Sequence, residues 1–107
     1  MEILEITGEK FKEEVIDYEK PVIVDFFATW CGPCKVQSAI MEEIAQTEED
    51  VKIVKIDVDQ NQELAEKYEI MSIPTVIIIK NGIISKEFVG TTQKEELLEA
   101  YKSALIQ

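Results

Sequence analysis

Apolar residues alternate along the chain between continuous runs and helical spacing. Residues 21–28 (PVIVDFFA) are almost continuously apolar and rich in β-branched and aromatic side chains, which is typical of a strand buried on both faces. Segments 2–6 and 51–58 predict two further strands. In TVIIIKNGIISKEFVG (75–90), Asn81-Gly82 predicts a tight hairpin that joins two more strands.

Four other segments place apolar residues at the spacing of a helix. They lie at 9–18, at 34–48, around Leu64, Ala65 and Tyr68, and after Thr92. In the last segment Thr92 and Glu95 fit the S/T-x-x-E capping box, so we expect Thr92 to begin that helix. The resulting order, β-α-β-α-β-α-β-β-α, predicts an α/β fold with a central mixed sheet and helices on both faces.

The length, composition and net charge of the chain are typical of a globular protein with an acidic surface. At 107 residues, without a repeat or a Pro/Gly/Ser-rich linker, the chain is expected to form a single domain over 1–107. Its 22 acidic and 11 basic residues give a net charge of −11. This charge argues against nucleic-acid partners and against binding to anionic membranes.

The first residues also bear on location. MEILEITGEK carries acids where a secretory signal would be basic, and no long apolar run follows. We therefore expect a cytoplasmic protein. In that reducing compartment, two neighbouring cysteines are more often catalytic or metal-binding than structural.

The only two cysteines, Cys31 and Cys34, are two residues apart, and the chain has no histidine. A structural zinc site needs four Cys or His ligands, so one chain could not close it without carboxylates or a second copy, although copper(I) could bind two thiolates. A structural disulfide stabilises mainly by closing a long loop, and this loop is very short. A catalytic dithiol is the third alternative, and we expect no metal.

The position of the pair favours catalysis. It follows strand 21–28 and opens the next helix, so Cys31 is expected at a helix N-terminus, where free N–H groups and the helix dipole stabilise an anion. That would lower the thiol pKa from about 8.5 and make Cys31 the nucleophile. Cys34 lies one turn further on the same side, within reach of Cys31. Pro33 is tolerated in a first turn, and Gly32 leaves the approach to Cys31 open.

Two charged residues interrupt apolar strands. Asp25 lies among Ile23, Val24 and Phe26, where burial would raise its pKa; it either faces a solvated edge or acts as a general base toward Cys34. Lys55 shares a strand face with Ile53 by alternation, and it could extend its ammonium to solvent.

The segment WCGPCK (30–35) resembles the active-site motif of the thioredoxin family. The similarity extends over essentially the whole chain, in the family's order and spacing. It includes VDFFATWCGPCK (24–35), KIDVDQN (55–61), SIPTVIIIKNG (72–82) and FVGT (88–91).

This resemblance implies the thioredoxin fold, with a five-stranded sheet and four helices, and reduction of protein disulfides. Cys31 would attack a substrate disulfide, and Cys34 would resolve the mixed disulfide. A thioredoxin reductase would then regenerate the dithiol. The redox-active Cys31–Cys34 disulfide would replace any cofactor, and a monomer is expected.

The resemblance also implies roles for residues far from the dithiol. It favours Asp25 as the general base for Cys34, with Lys55 tuning that carboxylate. Sequence alone predicts a trans bond before Pro74, whereas the family has a cis proline there. Ile73 would then offer its backbone to an extended substrate.

The rest of the expected substrate surface is an apolar rim around Cys31. Its members are Trp30, Ile73, Pro74, Val89 and Gly90, together with Gly32 and Pro33 of the motif. For Trp30 the alternative is plain core packing. Phe27, Met71 and Ser72 differ from residues common in the family.

Two other functions remain open from the sequence. Oxidases and isomerases of the wider superfamily commonly carry a histidine between the cysteines, where it could stabilise the Cys31 thiolate. The Gly32-Pro33 pair instead resembles reductases. A partner-binding subunit could use the same apolar rim, but the intact dithiol with Asp25 and Pro74 argues against binding as its sole role.

Overall fold

The computed structural model describes residues 1–107, and its elements follow the predicted order. The strands are β1 (Leu4–Glu5), β2 (Val22–Phe27), β3 (Lys52–Asp57), β4 (Thr75–Lys80) and β5 (Ile83–Val89). Helix α1 is an α-helical turn, Gly8–Phe11, that continues directly into a π-helical turn, Lys12–Ile16. The other helices are α2 (Gly32–Thr47), α3 (Gln62–Lys67) and α4 (Lys94–Leu105).

The five strands form one mixed sheet in the order β1-β3-β2-β4-β5. β1, β3 and β2 are parallel, whereas β4 runs antiparallel to both β2 and β5. β2 therefore lies at the centre, and all six of its residues are buried, as its continuous apolar run predicted. The expected mixed sheet with helices on both faces is confirmed.

The two faces of the sheet bury separate apolar clusters. On one face Val24 and Phe26 of β2 pack with Phe11 and Val15 of α1. On the other face Ile23 packs with residues from α2 and α4, namely Met41, Ile44, Leu97, Tyr101 and Ala104. Alternation along β2 thus directs odd-numbered side chains toward α2, and Asp25 is one of them.

Three details differ from the sequence predictions. The first strand is limited to Leu4–Glu5, and the first helix spans 8–16 rather than 9–18. The capping box is wrong, because Gln93 is the N-cap of α4 and makes no side-chain capping bond. Thr92 is engaged elsewhere: its hydroxyl donates to the Gly90 carbonyl at 3.2 Å.

Helix α3 ends at a residue in the left-handed region. Glu69 has φ 53°. The next residue, Ile70, donates its N–H to the Ala65 carbonyl at 2.9 Å, which is the longer hydrogen bond of a Schellman ending. Glycine is the residue that adopts this conformation without a steric cost.

We expect Glu69→Gly to raise the free energy of unfolding by about 0.5–1 kcal/mol, because glycine relieves the left-handed strain. The matched control is Glu66→Gly inside α3, which should lose about 1 kcal/mol. Urea unfolding of both variants measures the difference. Equal destabilisation by the two glycines would show that the backbone of Glu69 is unstrained.

Candidate active site

Cys31 and Cys34 form a disulfide at the junction between β2 and α2. Their Cα atoms are 5.3 Å apart. Cys31 is the N-cap of α2, and its Sγ accepts the N–H of Cys34 at 3.2 Å. Both predictions of placement are confirmed: the first sulfur lies at the helix N-terminus, and the second lies one turn further on the same side.

The disulfide is almost covered by the surrounding chain. Cys31 is 4% exposed and Cys34 is 3% exposed. They cluster with Phe27 and Ala28 of the β2 end, and Ile73 packs against the same group. Gly32 and Pro33, in contrast, are exposed, and a Cβ added at Gly32 would meet no atom within 4 Å. The surface over these two residues is therefore open.

Asp25 is fully buried beneath α2. Its side chain is 0% exposed, and neither carboxylate oxygen has a hydrogen-bond partner. It lies between Ile23, which packs on the middle of α2, and Phe27, which packs on the cysteines. Burial raises the pKa of Asp25 from 3.8 to about 7, and the positive charge of Lys55 partly opposes that rise. The solvated-edge alternative for Asp25 is wrong.

Lys55 is the direct neighbour of Asp25 on β3. It is half-buried, so it does not simply extend into solvent. Its Nζ donates to Ser38 Oγ at 3.0 Å and lies 4.5 Å from the centre of the Phe27 ring. The expected shared face is also confirmed, because Ile53 packs on the α2 side of the sheet.

Trp30 lies on the surface beside the cysteines and is 71% exposed. Its Nε1 donates to Asp59 Oδ2 at 2.7 Å, and the Asp59 N–H donates to Asp57 Oδ1 at 2.9 Å. Core packing is therefore excluded for this side chain. The loop after β3 thus fixes the indole ring through one hydrogen bond, and most of the ring remains exposed to solvent.

The Ile73–Pro74 peptide bond is cis. Pro74 is buried, and its carbonyl accepts the N–H of Gly90 at 2.8 Å. Gly90 has φ 91°, a conformation that favours glycine, and the preceding Val89 is 67% exposed. The Pro74 and Gly90 segments are thus hydrogen-bonded to each other next to the disulfide. The backbone N–H and carbonyl of Ile73 take part in no hydrogen bond.

The sequence reasoning missed Gln37, which connects these parts. Gln37 is fully buried, and its amide pairs with the Thr92 backbone twice: Oε1 accepts the N–H at 2.7 Å and Nε2 donates to the carbonyl at 3.0 Å. The contact ties α2 to the segment after Gly90. The sequence does contain a signal for this contact. Gln37 is a polar residue three positions after Cys34 and therefore lies on the same, buried side of the helix, where its amide needs a hydrogen-bond partner.

No group of three or more His, Cys, Asp or Glu side chains is placed to hold a metal ion. None of the helices has the length and apolar character needed to span a bilayer.

The raised pKa of Asp25 makes stability depend on pH. The folded protein binds the Asp25 proton more tightly than the unfolded chain does. Protonation of Asp25 therefore makes its full contribution to the free energy of unfolding below about pH 4, and this contribution is lost as the pH rises to about 7. Since one unit corresponds to about 1.4 kcal/mol, Asp25→Asn should gain about 4 kcal/mol over the parent protein above pH 7.

Urea unfolding of the oxidised proteins between pH 4 and 8 measures this gain. Asp50→Asn, at an exposed position, is the matched control and should leave the difference constant. A constant difference for Asp25→Asn as well would contradict the buried, destabilising carboxylate.

Comparison with known proteins agrees with this geometry. The family model described as Thioredoxin matches residues 2–103. The thioredoxin of Bacillus subtilis is 47% identical over 100 residues, which are 92% of this chain and 94% of that protein. That of Mycoplasmoides gallisepticum is 44% identical over 97 residues, covering 91% and 97% respectively.

Two other similarities concern structure and architecture. A mutant thioredoxin from Halobacterium salinarum superposes with a TM-score of 0.88 at 32% identity, covering 97% of this chain and 91% of that one. A bifunctional thioredoxin reductase/thioredoxin of Mycobacterium leprae is 43% identical over 96 residues, which are 89% of this chain and 21% of that protein. Since the family match extends over residues 2–103 and the Cys31–Cys34 disulfide lies buried at a helix N-terminus, the chain belongs to the thioredoxin family and is a dithiol–disulfide oxidoreductase.

Proposed function

We propose that this protein reduces disulfides in other proteins, with Cys31 as the nucleophile and Cys34 as the resolving thiol. The observation that carries the assignment is the asymmetry of the two sulfurs. Cys31 is the N-cap of α2, where its sulfur accepts a helix N–H and meets the positive end of the dipole. An anionic sulfur is favoured there, and it is the thiolate that attacks disulfides.

The reaction balances as two exchanges. The Cys31 thiolate attacks one sulfur of the substrate disulfide, forms a mixed disulfide and expels the other substrate sulfur as a thiolate. Cys34 then loses its proton and attacks the Cys31 sulfur, and the second substrate sulfur leaves. The substrate gains two electrons, and the protein is left with the Cys31–Cys34 disulfide.

Asp25 is proposed as the base that takes the proton of Cys34. It lies on the α2 side of β2, two residues before Phe27, which packs on both cysteines. A carboxylate with a pKa of about 7 can accept and return a proton near neutral pH. Lys55 is proposed to tune this base through its positive charge.

The substrate is proposed to bind as an extended segment along Ile73. The free backbone N–H and carbonyl of this residue would pair with it as an added strand does. Exposed Trp30 and Val89 would contact its side chains on either side of the sulfurs, with exposed Gly32 and Pro33 and half-buried Gly90 completing the surface. Pro74 is buried, so its proposed part is to fix the Ile73 backbone from behind this surface.

Regeneration is proposed to come from a thioredoxin reductase. The fused reductase in the Mycobacterium leprae relative supports a partner of this class. We further propose that residues 1–107 work as one monomeric domain, without a bound cofactor, in the cytoplasm, where a dithiol reductant is maintained in reduced form.

Substitution of the two cysteines separates their roles. Reduced protein should cut insulin disulfides with dithiothreitol as the electron source, and Cys31→Ser should abolish this activity. Cys34→Ser should keep the first attack and accumulate a mixed disulfide with the substrate, visible on a non-reducing gel. Turnover by Cys31→Ser, or trapping through Cys34 in that variant, would reverse the assignment.

Substitution of Asp25 tests the base. Asp25→Asn should slow release from the mixed disulfide by roughly 10²-fold at pH 7, because Cys34 loses its proton acceptor. The first attack by Cys31 should be largely unchanged. Rapid-quench kinetics resolve the two steps, with Asp50→Asn as the control, and equal slowing of both steps would reject the role.

A further inference from the structure

The ammonium of Lys55 hydrogen-bonds Ser38 and not Asp25, its partner residue on the adjacent strand. Lys55 and Asp25 are paired residues on adjacent strands, where a salt bridge would be expected for a buried carboxylate. Instead Lys55 Nζ donates to Ser38 Oγ at 3.0 Å and forms no ion pair with Asp25, and both Asp25 carboxylate oxygens stay without a hydrogen-bond partner.

Few other groups face this carboxylate. At the paired position on β4 is Val76, and α2 contributes the cysteines and Ser38 above it. From α4 the titratable group on this face is Tyr101, whose hydroxyl donates to the Asp50 carbonyl at 3.2 Å. On β3 the buried Asp57 shares this face with Lys55, and its Oδ1 accepts the Asp59 N–H at 2.9 Å. Lys55 is the positive charge on the strand beside Asp25, and its position affects the ionisation of that carboxyl group.

Ser38 lies on the turn of α2 that follows Cys34. It is four residues beyond that cysteine, so both side chains lie on the same side of the helix. The side chain is half-buried, and its hydroxyl oxygen accepts a hydrogen bond from Lys55. Serine has no advantage over alanine within a helix, so this contact is the physical reason for a hydroxyl here.

We propose that Ser38 is a positioning residue that holds the Lys55 ammonium against helix α2 and so keeps the Asp25 carboxylate free of a salt bridge. The arrangement leaves both carboxylate oxygens free to accept a proton from the resolving thiol. The proposal concerns the contact among these three residues, and its effect on turnover rests on the proposed function of Asp25.

Removal of the hydroxyl should release Lys55 toward the unpartnered carboxylate. An ammonium that hydrogen-bonds a buried carboxylate favours its ionised form, so the pKa of Asp25 should fall by about one unit in Ser38→Ala. Ser38→Thr keeps the hydroxyl and should restore the parental value. Lys55→Met removes the positive charge and should shift the pKa in the opposite direction, upward.

The direct readout is the titration of Asp25 in the reduced protein, followed by the 13C chemical shift of its carboxyl carbon. The signal is assigned by its loss in Asp25→Asn, and Ser103→Ala on the exposed side of α4 serves as the matched control. A lowered midpoint in Ser38→Ala that Ser38→Thr restores supports the proposal. An unchanged or raised midpoint in Ser38→Ala overturns it.

The pH dependence of substrate release gives a second, separate readout. If Asp25 is the base, the profile for release from the mixed disulfide should move toward acid in Ser38→Ala by the same amount as the NMR midpoint. A midpoint that moves while the release profile stays in place would refute the base role of Asp25 and leave the positioning by Ser38 intact.

Discussion

A single ionisable carboxyl group, buried without a hydrogen-bond partner, constrains this active site. Asp25 lies in the central strand, beneath the helix that carries both cysteines, in surroundings that oppose its charge. The fold tolerates this destabilising group because the strands on either side and α2 above it are fixed by extensive apolar packing. Burial raises the pKa of Asp25 to about 7, and the positive charge of Lys55 on the neighbouring strand partly opposes that rise.

The sheet order explains why these groups meet. Because β2 lies between β3 and β4, its carboxyl end is adjacent both to the Lys55 strand and to the cis Pro74 segment. Helix α2 begins a short loop after β2, so Asp25, the Cys31–Cys34 disulfide and the Ile73 segment lie at the same end of the sheet. The Gln37 side chain hydrogen-bonds the backbone of Thr92 and so connects α2 to the segment after β5. In that segment the Gly90 N–H donates to the Pro74 carbonyl.

Local sequence patterns were sufficient for the order of the elements and for the dithiol. Continuous apolar runs identified the buried strands, and the spacing of Cys31 and Cys34 at a strand-to-helix junction identified the chemistry. Contacts between distant segments could not be predicted from these local patterns. Periodicity does not specify which residue of β3 lies opposite Asp25, and Gln37 and Ser38 are polar helix residues whose partners lie in other elements. The capping box at Thr92 failed because the Thr92 hydroxyl donates to the nearby Gly90 carbonyl, while the distant Gln37 pairs with the Thr92 backbone.

The proposed mechanism requires the Asp25 carboxylate to receive the Cys34 proton when substrate leaves. Time-resolved infrared difference spectroscopy of release from the mixed disulfide, near pH 7, observes that proton directly. We expect a protonated-carboxyl band to appear as the S–H band of Cys34 is lost, and we expect Asp25→Asn to lack the carboxyl band. Loss of the S–H band without any carboxyl protonation would contradict this mechanism.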